Sequence, residues 1–325
     1  MKKRIAILGS TGSIGKTLIN IIKQDKKNFD IVLLSADENY KELLRQAKFF
    51  KVKNLIITNE NSYNKIKKDR FSKKINIYNN FNNFRKIFKK KIDYTMSSIS
   101  GIQGLKPTIK IIEFTNKIAI ANKESIICGW DLIQKELKKN KTEFIPVDSE
   151  HFSIWYALKD IDKRLIEKIY LTASGGPFLN KPLNRLKNVS SKQAIKHPNW
   201  KMGKKISVDS ATMMNKVFEI IEAKKIFNLS YKKLSILTHP KSYVHAIIKL
   251  KNGLTKIVAH DTNMRIPIFN SLYSSNNFIN SKKLNLKILN NLSFKEINYK
   301  RFSVIKILNK LPENSSLFET ILVSI

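Results

Sequence analysis

The sequence has few of the residues that build covalent or metal–sulfur frameworks. It has 325 residues and one cysteine, Cys128. A single cysteine excludes an internal disulfide framework and a structural zinc site built on thiolates. Because Cys128 lies in the apolar run "SIICGW", we expect it to be buried filler and not a nucleophile.

Acidic residues are also scarce, with 25 Asp and Glu against 61 Lys and Arg and a formal net charge of +36. Such a charge first indicates a nucleic-acid binder. Only eight of the cations are arginine, the residue best suited to base readout. We therefore interpret the lysines as compositional drift on solvated faces and expect no specific nucleic-acid site, while non-specific attraction to polyanions remains.

Long apolar runs are absent. No stretch approaches the ~20 apolar residues of a membrane span, and the apolar run at residues 5–8 is shorter than the ~7–15 residues of a signal peptide. We therefore expect a cytoplasmic protein without membrane association. The composition, 42% hydrophobic, supplies a core for two domains of roughly 100–200 residues each.

In the first half, short apolar runs alternate with helix-length amphipathic segments. This alternation predicts βαβ units and therefore an α/β fold, a Rossmann-like doubly wound parallel sheet. The predicted strands are residues 5–8, 31–34, 55–57, 75–78, 94–96, 118–121 and 144–147. The predicted helices are residues 15–24, 38–49, 81–90, 105–114 and 124–137.

After about Val147 the pattern changes to loops rich in glycine, proline and hydroxyl residues. Apolar runs follow at 233–237, 243–250 and 255–259, and Asn252-Gly253 separates the last two. Asn-Gly between apolar runs is typical of a hairpin. We predict a second, α+β domain with a largely antiparallel sheet, and one amphipathic helix at 304–311.

Glycines at positions 9, 12 and 15 follow the first predicted strand and open a helix. Glycines there allow a dinucleotide pyrophosphate to approach the backbone at a helix N-terminus. The alternative is an ordinary strand-to-helix turn. Asp37-Glu38 stands at the end of the second strand, where an acidic residue commonly holds a ribose 2′-OH. Taken alone, this acidic pair favours NAD. The alternative is that both residues are solvated loop acids.

Asp148 and Glu150 flank Ser149 at the end of a predicted strand. In an extended segment the two carboxylates lie on one side, an arrangement that suits Mg²⁺ or Mn²⁺. Glu219 is a plausible third ligand, which spacing alone does not select. The alternative is a surface acid pair.

Polar side chains in the loops of the second half form a candidate phosphate site. Each has an ordinary alternative, as a turn serine, a helix N-cap or a structural histidine. Trp200 and Met202 could close over a substrate as an apolar lid. The candidate residues are Ser174, His197, Ser210, Asn215 and Lys216.

Seven motifs in order closely resemble the 1-deoxy-D-xylulose 5-phosphate reductoisomerase family. They are "ILGSTGSIG", "ANKES", "PVDSEH", "GGPF", "HPNWKMGKKISVDSATMMNK", "HPKSYVH" and "NMRIPI". The resemblance implies an NADPH-binding domain at 1–147 and an α+β catalytic and dimerisation domain at 148–296 with a mobile loop near 197–203. It also implies that 297–325 is the remnant of a truncated C-terminal helical domain.

The resemblance implies a function as well: NADPH- and metal-dependent rearrangement and reduction of 1-deoxy-D-xylulose 5-phosphate to 2-C-methyl-D-erythritol 4-phosphate by a homodimer. The metal, Mg²⁺, Mn²⁺ or Co²⁺, would be held by Asp148, Glu150 and Glu219. The implied cofactor contacts are Thr11, Gly12, Ser13, Ile14, Asn39, Asn122, Glu124 and Gly203. The implied substrate contacts are Lys123, Ser149, Glu150, Ser174, His197, Ser210, Asn215, Lys216 and Glu219, with Lys123 and His197 also catalytic and Trp200 in the lid.

The chain departs from the family pattern in two further places. Asp37-Glu38 replaces Gly-Lys, which weakens the expectation of strict NADP preference, and Val217 replaces a glycine and could perturb a helix start. The alternatives to this function are another NAD(P)-dependent reductase of a phosphorylated substrate and a decayed, non-enzymatic polyanion-binding protein.

Overall fold

The computed structural model describes residues 1–200, 203–273, 278–279, 283–314 and 317–324. The chain divides into two compact units. The first contains Met1–Val147 and the described residues from Pro267 to Tyr273; the second contains Asp148–Ile266 and the described residues from Phe278 on. The roles assigned above to 1–147, 148–296 and 297–325 stay predictions.

The first unit is built on a seven-stranded parallel sheet in the order β4-β3-β2-β1-β5-β6-β7. The order reverses direction between β1 and β5, as in doubly wound folds. The strands are β1 (Lys3–Leu8), β2 (Phe29–Ala36), β3 (Asn54–Ile57), β4 (Asn76–Tyr78), β5 (Ile92–Ser97), β6 (Thr115–Ile120) and β7 (Glu143–Pro146).

Helices follow the strands of this sheet, as the alternation of the sequence predicts. They are α1 (Ser13–Gln24), α2 (Tyr40–Phe50), α3 (Glu60–Lys67), α4 (Phe84–Ile87), α5 (Leu105–Ile112) and α6 (Lys123–Asn140). Helix α1 buries Leu18, Ile19 and Ile22, whose spacing places them on one helix face. The α/β, Rossmann-like fold class is confirmed.

A late segment of the chain completes the core of the first unit. The Tyr94 hydroxyl lies 2.8 Å from the Ser271 hydroxyl in a buried contact. Tyr273 donates to Asp25 Oδ2 at 2.9 Å, and its ring lies edge-on to Phe29 at 5.4 Å. The segment from Pro267 to Tyr273 therefore packs as an integral part of this unit.

The second unit contains a five-stranded sheet in the order β11-β10-β8-β9-β12. Three of its four strand pairs are antiparallel and the β8–β9 pair is parallel, so the predicted largely antiparallel sheet is present. Asn252-Gly253 lies in the β10–β11 turn, as predicted. The strands are β8 (Ile166–Ala173), β9 (Leu234–Thr238), β10 (Val244–Leu250), β11 (Thr255–Ala259) and β12 (Lys295–Glu296).

The remaining helices are α7 (Ser149–Ala157), α8 (Ser191–Ala194), α9 (Lys204–Thr212), α10 (Met214–Phe227), α11 (Arg265–Leu272), α12 (Leu286–Leu289) and α13 (Leu317–Ser324). Residues from Pro267 of α11 belong to the first unit. No helix within the described ranges is both long enough and apolar enough to cross a membrane.

Several local predictions were wrong. The helix expected at 81–90 is a 3₁₀ turn, Phe81–Asn83, followed by the four-residue α4, because Asn80 caps the turn and Phe88 returns to an extended conformation. The helix expected at 304–311 is a 3₁₀ helix, Ser303–Lys310. Cys128 is only partly buried.

Candidate active site

The glycine turn after β1 is tightly packed against the neighbouring strands. Gly9 has a φ of +81°, and a Cβ there would meet the Ser98 carbonyl oxygen at 2.7 Å. The Gly9 N–H donates to Ser35 Oγ at 3.0 Å, and Gly12 is the N-cap of α1. Only glycine fits at position 9, so the turn presents its backbone and the start of α1 to a ligand.

A cavity of about 510 Å³ opens at this turn, at the point where the strand order reverses. Gly9, Thr11 and Gly12 line it, with Asp37 and Lys106 also in its wall. Ser13 and Ile14 form the first turn of α1 beside it. The turn, the helix start and the place in the sheet together fit a dinucleotide.

The predicted contacts Asn39 and Asn122 are helix caps. Asn39 accepts from the Glu42 N–H at 3.2 Å at the start of α2. Asn122 accepts from the Ser125 N–H at 2.6 Å at the start of α6 and donates to the Gly101 carbonyl at 2.7 Å and to that of Ile99. Because Ile99 lines the cavity, Asn122 fixes part of the cavity wall.

Three further residues predicted to contact the cofactor or the substrate lie at helix starts. Lys123 and Glu124 form the first turn of α6, with Lys123 buried. Gly203 is the N-cap of α9 in the second unit. Their roles stay predictions.

In the second unit, three carboxylates converge. Asp148 is the N-cap residue of α7, Glu150 is in the first turn of that helix, and Glu219 is in α10. One oxygen from each lies within 4.8 Å of the others. The extended geometry predicted for Asp148 and Glu150 was wrong, because the chain enters a helix at Ser149; the helix turn, not strand alternation, brings them together.

Lys216 binds two of these carboxylates. Its ammonium lies 2.9 Å from Glu150 Oε1 and also pairs with Glu219 Oε2. Burial favours the neutral form of Glu150, but the Lys216 charge outweighs it, with help from the Ser149 hydroxyl at 2.6 Å, and lowers the pKa of Glu150 to about 2. Glu150 is therefore ionised at neutral pH. Carboxylate oxygens are the ligands that a hard divalent cation prefers.

A second layer of polar residues surrounds the carboxylates. Asn215 donates to Glu219 Oε1. His151 is fully buried; its Nε2 donates to the Glu219 carbonyl at 2.8 Å, and its Nδ1 lies 3.4 Å from Glu222 Oε2 and 3.9 Å from Asp148 Oδ1. A contact like that of Asn215 orients a metal-ligating carboxylate, whereas His151 holds the backbone of α10 at Glu219.

Ser174 and His197 form a hydrogen-bonded pair, 3.0 Å from Ser174 Oγ to His197 Nε2. His197 Nδ1 accepts from the backbone N–H groups of Asn199 and Trp200 at 3.1 and 3.0 Å. Two donors at Nδ1 place the proton on Nε2, which therefore donates to Ser174. Burial lowers the pKa of His197, so the ring is neutral at neutral pH.

The His197 loop is anchored to the strand region around β10. The Asn199 amide donates to the Pro240 carbonyl at 2.7 Å and to Ser242 Oγ at 2.8 Å. The Trp200 ring lies edge-on to His245 at 6.1 Å. Burial lowers the pKa of His245 well below its usual value, and Lys216 lowers it further. Met202, the other predicted lid residue, lies outside the described residues.

Ser210 lies in the last turn of α9 and is not an N-cap. Gly176, with a φ of +66°, packs so closely on this turn that a Cβ would meet the Ser210 carbonyl oxygen at 2.7 Å. The loop that carries Ser174 therefore meets the end of α9. Val217 does not disturb the following helix: α10 begins at Met214, and Val217 is buried in its first turn.

Sequence reasoning gave no role to His151, Glu222, His245 or His260. Glu222 is three residues after Glu219 on a helix, a spacing that places both on one face and could have identified it. His245 and His260 stack at 3.8 Å. Their proximity follows from the β10–β11 pairing, so the Asn252-Gly253 hairpin signal could have identified the pair.

The fold and these sites define a dinucleotide-binding enzyme with a carboxylate site for a divalent cation. Two models of one family match the chain. The model described as 1-deoxy-D-xylulose 5-phosphate reductoisomerase matches residues 5–129, and the model of that enzyme's C-terminal domain matches residues 144–227.

Proteins of the same description are similar over almost the whole chain. The 1-deoxy-D-xylulose 5-phosphate reductoisomerase of Pelagibacter ubique is 61% identical over 99% of this chain and 84% of its own length. That of Wolbachia pipientis from Culex pipiens is 41% identical over 97% of this chain and 80% of its own length. The chain belongs to the 1-deoxy-D-xylulose 5-phosphate reductoisomerase family.

Solved structures of reductoisomerases also superpose closely on this chain. The reductoisomerase of Zymomonas mobilis in complex with NADPH superposes with a TM-score of 0.86 at 30% identity, over 95% of this chain and 81% of that one. A reductoisomerase in complex with NADPH, fosmidomycin and magnesium gives a TM-score of 0.86 at 32% identity, over 95% of this chain and 79% of that one.

Proposed function

We propose that this chain converts 1-deoxy-D-xylulose 5-phosphate into 2-C-methyl-D-erythritol 4-phosphate, with NADPH as reductant and a divalent cation as a second cofactor. The observation that carries the proposal is the convergence of Asp148, Glu150 and Glu219 within 4.8 Å. Family membership selects the reaction from those that such a site could serve.

Asp148, Glu150 and Glu219 would hold the cation, because three carboxylates suit Mg²⁺, Mn²⁺ or Co²⁺. A cation bound there supplies Lewis-acid polarisation of a substrate carbonyl. Asn215 would keep the Glu219 carboxylate in place, and His151 would hold the backbone of α10 at Glu219, through the hydrogen bonds described above. Lys216 keeps Glu150 ionised and offers an ammonium group to an anionic substrate.

The polar loops would bind the substrate phosphate. Ser174, Ser210 and Asn215 offer hydroxyl and amide donors, and neutral His197 orients the Ser174 hydroxyl. Binding energy from a non-reacting phosphate positions the reacting carbons. Lys123 and a homodimeric state enter the proposal through the family resemblance alone. A cytoplasmic location stays an expectation from the sequence.

The deciding experiment follows NADPH oxidation at 340 nm with 1-deoxy-D-xylulose 5-phosphate and Mn²⁺. We expect turnover that disappears with a chelator and returns with Mn²⁺. Absence of turnover, together with tight salt-sensitive DNA binding, would favour the polyanion-binding alternative. Sedimentation tests the dimer separately.

The metal site is tested by Glu150→Gln. We expect Mn²⁺ affinity, measured by calorimetry, to fall by more than about 100-fold, since loss of even an outer contact costs about 10–100-fold. Glu167→Gln is the matched control, because Glu167 is exposed and pairs with Lys249 at 2.7 Å. Unchanged Mn²⁺ affinity in the Glu150 variant would refute the assignment.

A further inference from the structure

The wall of the dinucleotide cavity carries a carboxylate at the end of β2. Asp37 is the first residue after this strand and lines the cavity together with Gly9 and Gly12. In doubly wound folds this is the place where the ribose next to adenine lies. The group at Asp37 therefore meets the part of the cofactor that differs between NADH and NADPH.

The Asp37 carboxylate is held in place. Thr58 Oγ1, also in the cavity wall, donates to Asp37 Oδ1 at 2.6 Å. The Asn59 N–H donates to the Asp37 carbonyl at 3.3 Å. In the part of the chain that the structure describes, no lysine or arginine forms an ion pair with Asp37, so its carboxylate is available to a ligand in the cavity.

The same cavity contains two cations on α5, Lys106 and Lys110. Lys110 donates to Asn82 Oδ1 at 2.6 Å. Helix α5 follows β5, and β5 and β2 lie on opposite sides of β1. Both lysines add positive charge to the cavity, which attracts the phosphate groups of either cofactor. Asp37 favours a 2′-hydroxyl over a 2′-phosphate, because a carboxylate accepts a hydrogen bond from a ribose hydroxyl and repels a phosphate ester of about −1.5 to −2 charge.

We propose that Asp37 is a specificity-determining residue that weakens binding of the 2′-phosphate, so that NADH serves this chain as an alternative reductant to NADPH. The inference rests on the proposed function for the identity of the reaction, but its binding test does not. Glu38, the next acidic residue, is exposed and is not part of the cavity lining.

The first measurement is binding of each cofactor, followed by the fluorescence of its reduced nicotinamide. In the wild-type protein we expect dissociation constants for NADH and NADPH within about tenfold of each other. Asp37→Asn keeps the size of the side chain and removes its charge. We expect it to shift the ratio about tenfold towards NADPH, the order of a unit-charge interaction that solvent screens almost as strongly as bulk water does. Glu38→Gln is the matched control and should leave the ratio unchanged.

A second variant controls for a local rearrangement caused by the Asp37→Asn substitution. Thr58→Val removes the hydroxyl that holds Asp37, and we expect a smaller shift in the same direction. The proposal is overturned if wild-type protein binds NADPH more than about 100-fold tighter than NADH and Asp37→Asn leaves that ratio unchanged. The expected binding ratios without turnover of 1-deoxy-D-xylulose 5-phosphate would support the role of Asp37 and contradict the proposed function.

Discussion

The ammonium group of Lys216 contacts two carboxylates in a place where water hardly reaches. Only 5% of Lys216 and 2% of Glu219 are exposed, and the Lys216 side chain contacts both Glu150 and Glu219. Buried charges of one sign are costly when their partner is lost. The stability of the metal-free protein therefore depends on the Lys216 side chain.

Lys216→Met should lower the free energy of unfolding of the metal-free protein by about 3–5 kcal/mol at pH 7, because two buried carboxylates lose their partner. Mn²⁺ should restore much of the loss by taking the place of the ammonium charge. Denaturant unfolding with and without Mn²⁺ measures both effects.

Lys249→Met is the control for this change. Lys249 pairs with Glu167 at 2.7 Å, but both side chains are nearly half exposed. Its loss should cost far less than that of Lys216, because solvent screens an exposed ion pair. Equal effects of the two substitutions would show that the Lys216 contacts do not stabilise the metal-free site.

The depressed pKa of Glu150 predicts a pH dependence of stability. Its folded-state pKa of about 2 lies below the unfolded value of about 4.3. Its contribution is therefore present above about pH 4 and is lost as the pH falls towards 2. The difference in unfolding free energy between wild type and Glu150→Gln should be largest above pH 4 and should shrink towards pH 2. A difference independent of pH would contradict the Lys216–Glu150 interaction.

The sequence predicted which acidic residues belong to the candidate site, but it did not predict their geometry. Asp148 and Glu150 were identified from their place at a strand end, but the chain turns into α7 there, which a strand-based spacing rule does not anticipate. The contribution of His151 could not be predicted, because its partners Glu219 and Glu222 lie about 70 residues later, on α10.

At the scale of elements, the parallel strands of the first unit were predicted to within three residues at each end. They are buried on both faces and so form continuous apolar runs. Strand β8 and helix α3 are among the elements that the sequence did not predict, because both contain polar residues that interrupt an apolar pattern. Strand β8 has Glu167 and Lys168 within it, and α3 has the polar sequence "ENSYNKIK"; their pairing and packing, not their local pattern, fix them.

The contact between the Ser174 loop and α9 gives a prediction at this scale. Gly176→Ala puts a Cβ against backbone atoms of Ser210 and Ala211, so the loop or the helix must move. We expect a loss of about 3 kcal/mol or more in unfolding free energy, since overpacking costs about 1–3 kcal/mol and a positive φ about 1–2 kcal/mol.

Gly253→Ala separates the two causes. Gly253 also has a positive φ, +87°, but a Cβ there meets nothing within 4 Å. The loss of unfolding free energy in Gly253→Ala, measured with denaturant, should be limited to the backbone strain of about 1–2 kcal/mol. Equal stability of the two alanine variants would show that the close packing at Gly176 adds nothing to the cost of the substitution.

At the scale of the whole molecule, the net charge of +36 affects every encounter with an anion. It should accelerate the approach of phosphorylated ligands at low salt. It should also give weak, sequence-independent binding to DNA, which falls about 10³–10⁵-fold between 50 and 200 mM salt if six to ten phosphates are contacted. Fluorescence anisotropy with two unrelated duplexes tests this; sequence-dependent binding that survives 200 mM salt would contradict our interpretation of the lysines.

The late segment that completes the first unit has a consequence for synthesis on the ribosome. Tyr273 and its partner Asp25 are 248 residues apart, and Ser271 and Tyr94 are 177 apart. At about 5–20 residues per second, the nascent sheet emerges on the order of ten seconds before the segment that covers it. During that interval Phe29 and Tyr94 lack their partners, so the nascent first unit is a natural client for chaperones until residue 273 has left the exit tunnel.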